Sequence, residues 1–181
     1  KDEEGKVATY TYNAANQRLI MTEGQGGDCA APIPVAATRT TATQYLSDSL
    51  ALPTVIESPS VVAGYTKRTE IAYTNNLPTQ ITRHGYTPSG NPISRTIAMQ
   101  YDSQGRVIQL DGPRTDVSDV TTLAYDNCTG GGGCGQLKTL TNALGQVTTY
   151  NSYDAHGRVT AITDPNGLRT NYTYDLRGRI L

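Results

Sequence analysis

The chain has no tryptophan and no phenylalanine, so all 12 of its aromatic residues are tyrosine. A tyrosine buries its ring while keeping a hydroxyl for water or a partner, which suits two-faced strands better than a thick oily core. Hydrophobic residues make up 36% of 181 positions. That is below the usual globular share, so any core is thin and a sheet-like shell fits better than a compact globule. Long apolar runs are missing too: nothing approaches the roughly 18 residues of a membrane-spanning helix. An excess of one charge is also lacking. The 15 basic and 16 acidic residues are mixed along the chain and leave a net charge of −1. No basic stripe offers the footprint of a nucleic-acid binder. No signal peptide is visible. The start at Lys1 and the stop straight after a turn, at Arg179-Ile180-Leu181, suggest an excerpt with a raw strand edge.

Cysteine is scarce as well. Cys128 and Cys134 flank Thr129-Gly130-Gly131-Gly132-Gly133, a span flexible enough for a disulfide, which would imply an oxidising destination. A soft-metal pair lacks two further ligands nearby, and two free thiols in a loop are the third reading. Cys29 is left over as a buried or incidental thiol.

What is present is repetition. Tyr153-Asp154-Ala155-His156-Gly157-Arg158-Val159 returns as Tyr174-Asp175-Leu176-Arg177-Gly178-Arg179-Ile180, an offset of 21 residues. A period of this size is a repeat-architecture signature. Asp154 and Gly157 occupy the first and fourth positions of a turn, as do Asp164 and Gly167 with Pro165 between them. Asp bonds backbone N–H groups there, and Gly takes the left-handed position. Between the turns lie runs rich in Thr, Val and Tyr, including Tyr172, which suit strands. Each unit therefore reads as two strands and two turns. Tyr101-Asp102-Ser103-Gln104-Gly105-Arg106 is another copy. Tyr125-Asp126 opens one whose glycine is delayed to Gly135 by a six-residue insertion carrying both cysteines. Removing the insertion restores a period of 21–22. From Gly135 the turn glycines follow at 145, 157, 167 and 178. The expected fold is all-β, a run of antiparallel hairpins.

Three regions follow. Residues 1–23 read as a worn hairpin: Val7–Tyr12, a turn at Asn13–Asn16, and a return strand over Gln17–Thr22. Asn16 stands where the turn glycine belongs and tolerates left-handed backbone. Residues 24–64 read as an irregular insertion or decoration, with Gly24, Gly26, Gly27, Pro32 and Pro34 breaking the pattern and Thr43–Leu52 as a short helix ended by Pro53. Residues 65–181 read as the array. Its strands are expected over Lys67–Tyr73, Leu77–Arg83, Ile93–Tyr101, Arg106–Leu110, Val120–Tyr125 and Gln136–Leu140.

The wording Tyr-Asp-x-x-Gly-Arg, followed by Asp-Pro-x-Gly-x-x-Thr-x-Tyr-x-Tyr-Asp, resembles the YD repeat of Rhs proteins. That repeat also occurs in toxin-complex shells, wall-associated bacterial toxins and animal teneurins. The match is close over Tyr153–Leu181, good at Tyr101–Val107 and degenerate upstream of about Pro92. The resemblance implies part of a spiralling β-sheet shell that encloses a C-terminal toxin domain until delivery. The implied partners are the rest of the parent polypeptide and its cargo, with self-association through exposed strand edges. The implied location is extracellular, by secretion or by a bacterial delivery system. Rhs cores end in an Asp-Pro-x-Gly-Leu motif associated with self-cleavage. Asp164-Pro165-Asn166-Gly167-Leu168 looks similar, but a normal unit resumes at Tyr174, so it reads as a repeat turn. A second reading makes the array an exposed adhesin or a glycan- or receptor-binding surface.

Catalytic constellations find little support. Gly130, Gly132 and Gly135 spell G-x-G-x-x-G, yet a strand and not a helix follows them. His156 holds a variable turn position and His84 sits beside a turn; a solvated side chain is the simpler reading of each. Asp102, Asp126, Asp154, Asp164 and Asp175 are explained by turn capping. Arg106, Arg158 and Arg179 are expected to pair with a carboxylate on a neighbouring strand. No catalytic, metal or cofactor residue is expected.

Overall fold

The computed structural model describes residues 6–25, 38–128 and 134–181. Cys29, the prolines at 32 and 34, and the glycines at 26, 27, 130 and 132 lie outside the described residues. Thirteen strands follow one another in chain order, each hydrogen-bonded to the next. They are β1 (Lys6–Tyr12), β2 (Arg18–Gln25), β3 (Thr38–Ser47), β4 (Leu50–Pro59), β5 (Thr66–Thr74), β6 (Leu77–Tyr86) and β7 (Pro92–Tyr101). Then come β8 (Val107–Asp111), β9 (Thr121–Tyr125), β10 (Leu137–Thr141), β11 (Val147–Tyr153), β12 (Val159–Thr163) and β13 (Arg169–Asn171). The fold is all-β and antiparallel, with no helix among the described residues. The chain divides into two compact units, Lys1–Ile97 and Ala98–Leu181.

The helix expected over Thr43–Leu52 does not form. Those residues build the ends of β3 and β4 and the turn between them. Nor is the whole of 24–64 irregular, because β3 and β4 occupy 38–59. Pairing with β2 and β5 outweighs a weak local helical preference. Pro53 is tolerated because it sits opposite Tyr45 where the register slips, and a bulge needs no amide there. Pro78 does the same opposite Tyr73.

The core is thin, as the composition implies. Val7, Val55 and Ala161 are the buried apolar residues, and no large side chain is fully buried among the described residues. In the second unit the strand register sorts the two faces. Met99 pairs with Leu110, Leu123 with Leu140, and Tyr150 with Ile162 on one side. Gln100, Gln109, Thr122 and Thr141 form a polar rung on the other. Alternation along each strand keeps the two sets apart.

Candidate functional site: a ladder of latched turns

The turns that the sequence singles out share one geometry. At Asp154, the backbone N–H donates to the Arg158 carbonyl at 2.9 Å, and the Gly157 N–H donates to the Asp154 carbonyl at 3.0 Å. The Asp154 Oδ1 accepts from the N–H groups of His156 and Arg158, both at 2.9 Å. This is a type I turn followed by a left-handed residue, with φ of 76° at Gly157. Asp102, Asp164 and Asp175 repeat the pattern. Pro165 sits exposed in the Asp164 turn, which closes like the others, as the reading of Asp164–Leu168 requires. Asn13 and Asn142 do the same with an amide oxygen. Asn16 takes the left-handed position at φ 61° in the first hairpin, so its turn survives without glycine.

The cysteine insertion preserves the turn around it. The Asp126 N–H donates to the Gln136 carbonyl at 2.9 Å, and the Gly135 N–H to the Asp126 carbonyl at 3.1 Å. The lengthened turn therefore closes with the same two hydrogen bonds as the short ones. Cys128 and Cys134 form a disulfide at 2.03 Å that pins the insertion at its base. Gly135 leads into β10, so no helix follows that glycine.

The arginines depart from expectation. Each pairs with the aspartate of its own turn, four residues back, and not with a neighbouring strand. Arg106 Nη2 lies 2.7 Å from Asp102 Oδ2; Arg158 Nε and Arg179 Nε lie 2.6 Å from Asp154 and Asp175. The turn folds the chain back so that the fifth residue faces the first, a proximity that strand alternation does not reveal. With its charge held at home, the guanidinium plane spreads over the next unit. Arg106 covers the Tyr125 ring at 4.4 Å and Arg158 covers the Tyr174 ring at 4.6 Å. Arg106 Nη1 also donates to the Gly135 carbonyl at 3.1 Å. In the middle unit Gln136 takes the arginine's place, and its Nε2 lies 3.1 Å from where a Cβ on Gly157 would stand.

The tyrosines supply the second half of the latch. Six of them, Tyr12, Tyr45, Tyr73, Tyr101, Tyr125 and Tyr153, sit beside a register slip in their hairpin. A bulge re-aims a side chain out of the regular pleat. One rule then recurs: a tyrosine hydroxyl donates to the carbonyl of the residue paired with the register-slip tyrosine of the hairpin before it. Tyr45 reaches Arg18 at 2.9 Å, Tyr73 reaches Pro53 at 2.9 Å and Tyr125 reaches Val107 at 2.9 Å. Tyr153 reaches Leu137, and Tyr174 reaches Val159 at 2.7 Å. Tyr172 contributes through its backbone N–H, which donates to Thr160. Burial pushes the Tyr73 and Tyr153 hydroxyls above their ordinary pKa, so they stay protonated and able to donate.

Tyr45, Tyr73, Gln17 and Gln136 escaped the sequence reading. Gln17 and Gln136 stand in the arginine position, one residue after the left-handed turn residue, and that spacing was the available signal. Gln17 donates to the carbonyls of Ser47 and Leu50, across to the next hairpin's turn. The upstream hairpins thus keep the latch after losing the Tyr-Asp-x-x-Gly-Arg wording. Tyr73→Phe and Tyr153→Phe are each expected to lose about 1 kcal/mol, one hydrogen bond to a buried-side carbonyl. Chemical denaturation of both variants checks this; a neutral Tyr73→Phe would confine the latch to the C-terminal hairpins.

The pH dependence follows from the same turns. Asp102, Asp154 and Asp175 are held below the ordinary carboxylate value of 3.8. The chief cause is the backbone N–H of the arginine four residues on, with its guanidinium adding to the effect. Such groups bind protons less readily when folded. Their contribution is therefore complete above the unfolded value and is lost as pH falls through 3.8 toward the lower folded values. Thermal melts between pH 6 and pH 2 should show stability falling across that window. The Asp102→Asn, Asp154→Asn, Asp175→Asn triple variant should show a flatter profile.

The family profile named RHS Repeat matches twice, over residues 135–167 and 153–181. Residues 135–181 carry RHS repeats. Both matched segments fall within the latched turns of the second unit. No curated protein matches the sequence. Among solved structures, the chain resembles a TcdB2-TccC3 crystal structure at 13% identity and a TM-score of 0.49, covering 96% of this chain and 10% of that one. The same complex without its hypervariable C-terminal region aligns at 13% identity and a TM-score of 0.46, over 96% of this chain and 11% of that one. A porin-like protein from Bacteroides uniformis aligns at 14% identity and a TM-score of 0.39, over 96% of this chain and 86% of that one. The chain spans about a tenth of the TcdB2-TccC3 chains it resembles.

Proposed function

We propose that this chain is a structural segment of a shell wall, and that the shell sequesters a C-terminal toxin domain of the parent polypeptide until delivery outside the producing cell. The observation that carries the reading is the latch. A tyrosine hydroxyl and its partner carbonyl join one hairpin to the hairpin before it at Tyr45, Tyr73, Tyr125, Tyr153 and Tyr174. A structure held together hairpin by hairpin extends by adding units, and it needs no central core. The absence of a fully buried large side chain among the described residues fits a wall that is finished by what lies against it. In this reading Tyr101, Asp102, Gly105, Arg106 and their counterparts are structural, and no residue is assigned a catalytic role. No helix among the described residues is long and apolar enough to cross a membrane.

Limited proteolysis of the parent polypeptide tests the proposal. The segment downstream of the repeats should survive digestion and co-purify with them. Rapid loss of that segment while the repeats stay intact would overturn encapsulation.

A further inference from the structure

The hairpin of β6 and β7 sets two arginines face to face. Thr82 Oγ1 lies 3.0 Å from Thr96 Oγ1, and His84 Nδ1 lies 3.0 Å from Ser94 Oγ. The register these two pairs share sets Arg83 directly opposite Arg95. Thr69 of β5 pairs with Arg83, which puts Lys67, two residues along, on the same face. Like charges opposed across strands are destabilising unless something neutralises them. The carboxylates of β4 and β5 do not. Glu70 pairs with Thr82, and Glu57 pairs with Arg68, which puts both on the opposite face. There Arg68 lies 2.9 Å from Glu70 and 3.7 Å from Glu57. No salt bridge joins Lys67, Arg83 or Arg95 to a carboxylate among the described residues.

The three cations line a groove of about 320 Å³, together with Val61, Tyr86 and Ile93. Tyr86 is braced by Tyr65, with ring centroids 4.3 Å apart. Gly85 keeps the groove open, because a Cβ there would meet nothing nearer than Ile93 Cγ1, at 3.9 Å. Its volume lies at the lower end of the range for small-ligand sites.

We propose that this groove binds a small soluble phosphomonoester through its phosphoryl group. A phosphomonoester brings about −1.5 to −2 charges at neutral pH and three terminal oxygens, which three cations match. A carboxylate or a sulfate ester brings one charge and leaves the cluster under-neutralised. The phosphoryl oxygens bridge the planar forks of Arg83 and Arg95, and Lys67 adds a point charge. The carbon side of the ester lies on Tyr86, Ile93 and Val61. The groove uses none of the latch residues, so this property is separate from wall-building.

Calorimetric titration of the protein with phenyl phosphate, in buffer free of phosphate and sulfate, tests it. Saturable binding is expected, with phenyl sulfate, benzoate and inorganic phosphate each at least tenfold weaker. Arg83→Gln and Arg95→Gln should each weaken binding about tenfold, the loss of one charge-assisted contact. Their melting temperatures should hold or rise, since each removes a like-charge contact. Gly85→Val keeps every charge and fills the groove. Gly85 does not use left-handed backbone, so this variant should stay folded and lose binding. Lys138→Gln, an exposed lysine in the other unit, should bind as the parent does. Full binding by Gly85→Val, or an equal loss in Lys138→Gln, would reduce the effect to diffuse charge and overturn the site. Phenyl sulfate or benzoate binding as tightly as phenyl phosphate would overturn the phosphoryl assignment. Inorganic phosphate doing so would remove the ester's carbon side. Capture on phosphatidic acid vesicles without phenyl phosphate binding would overturn a soluble ligand.

Discussion

Gly157→Val is expected to destabilise the protein by at least ~2 kcal/mol, the cost of forcing a side chain into the left-handed region. The position is demanding for two independent reasons. Its φ is 76°, and its missing Cβ leaves the space that Gln136 of the preceding hairpin occupies at 3.1 Å. Gly145 separates the two effects. It has the same φ of 76°, but a Cβ there would meet nothing within 4 Å. Gly145→Ala should therefore cost about 1–2 kcal/mol from backbone strain alone. Gly157→Ala should cost more, and the excess should vanish when Gln136 is shortened to Ser. Urea denaturation of the single and combined variants forms the cycle. Equal costs at Gly145 and Gly157 would mean that the preceding hairpin does not use the space.

Arg158→Ala is expected to cost about 1–2 kcal/mol, the range for a guanidinium partly shielded over an aromatic face. The side chain is 30% exposed, lies over Tyr174, and is held flat by Asp154. Arg158→Lys should recover little of this, because an ammonium has neither the plane that covers the ring nor the fork that holds the carboxylate. Arg179 is the internal control. It pairs with Asp175 in the same way, yet its side chain is 74% exposed. Arg179→Ala should therefore change stability by less than half as much. Matching losses at the two positions would assign the effect to the local ion pair and remove the contact between hairpins from the account.

Much of the second unit was legible from local wording. Asp-x-x-Gly states a turn that four residues close by themselves, so the turns at Asp102, Asp154, Asp164 and Asp175 follow without knowledge of the rest. The insertion before Gly135 was legible for the same reason, since a turn can be lengthened while its closing hydrogen bonds persist. The disulfide was open in sequence and was decided by the closing of that turn, which brings the Cys128 and Cys134 Cα atoms to 4.3 Å.

The first unit was harder to read because its hairpins carry almost none of that wording. Within Thr43–Leu52, Tyr45, Leu46, Ser49 and Leu50 share a plausible helical face, and only pairing with β2 and between Tyr45 and Pro53 makes the segment strand and bulge. The arginine pairings were misjudged because alternation along a strand describes faces and not the return of a five-residue turn. In the end, the sequence alone determined the period, the turns and the all-β class, because each rests on interactions within a few residues. Tertiary structure decided which carbonyl each latching tyrosine reaches and which rings Arg106 and Arg158 cover. Those contacts depend on register between strands far apart in the chain, and register is set by the sum of all the pairings along the sheet.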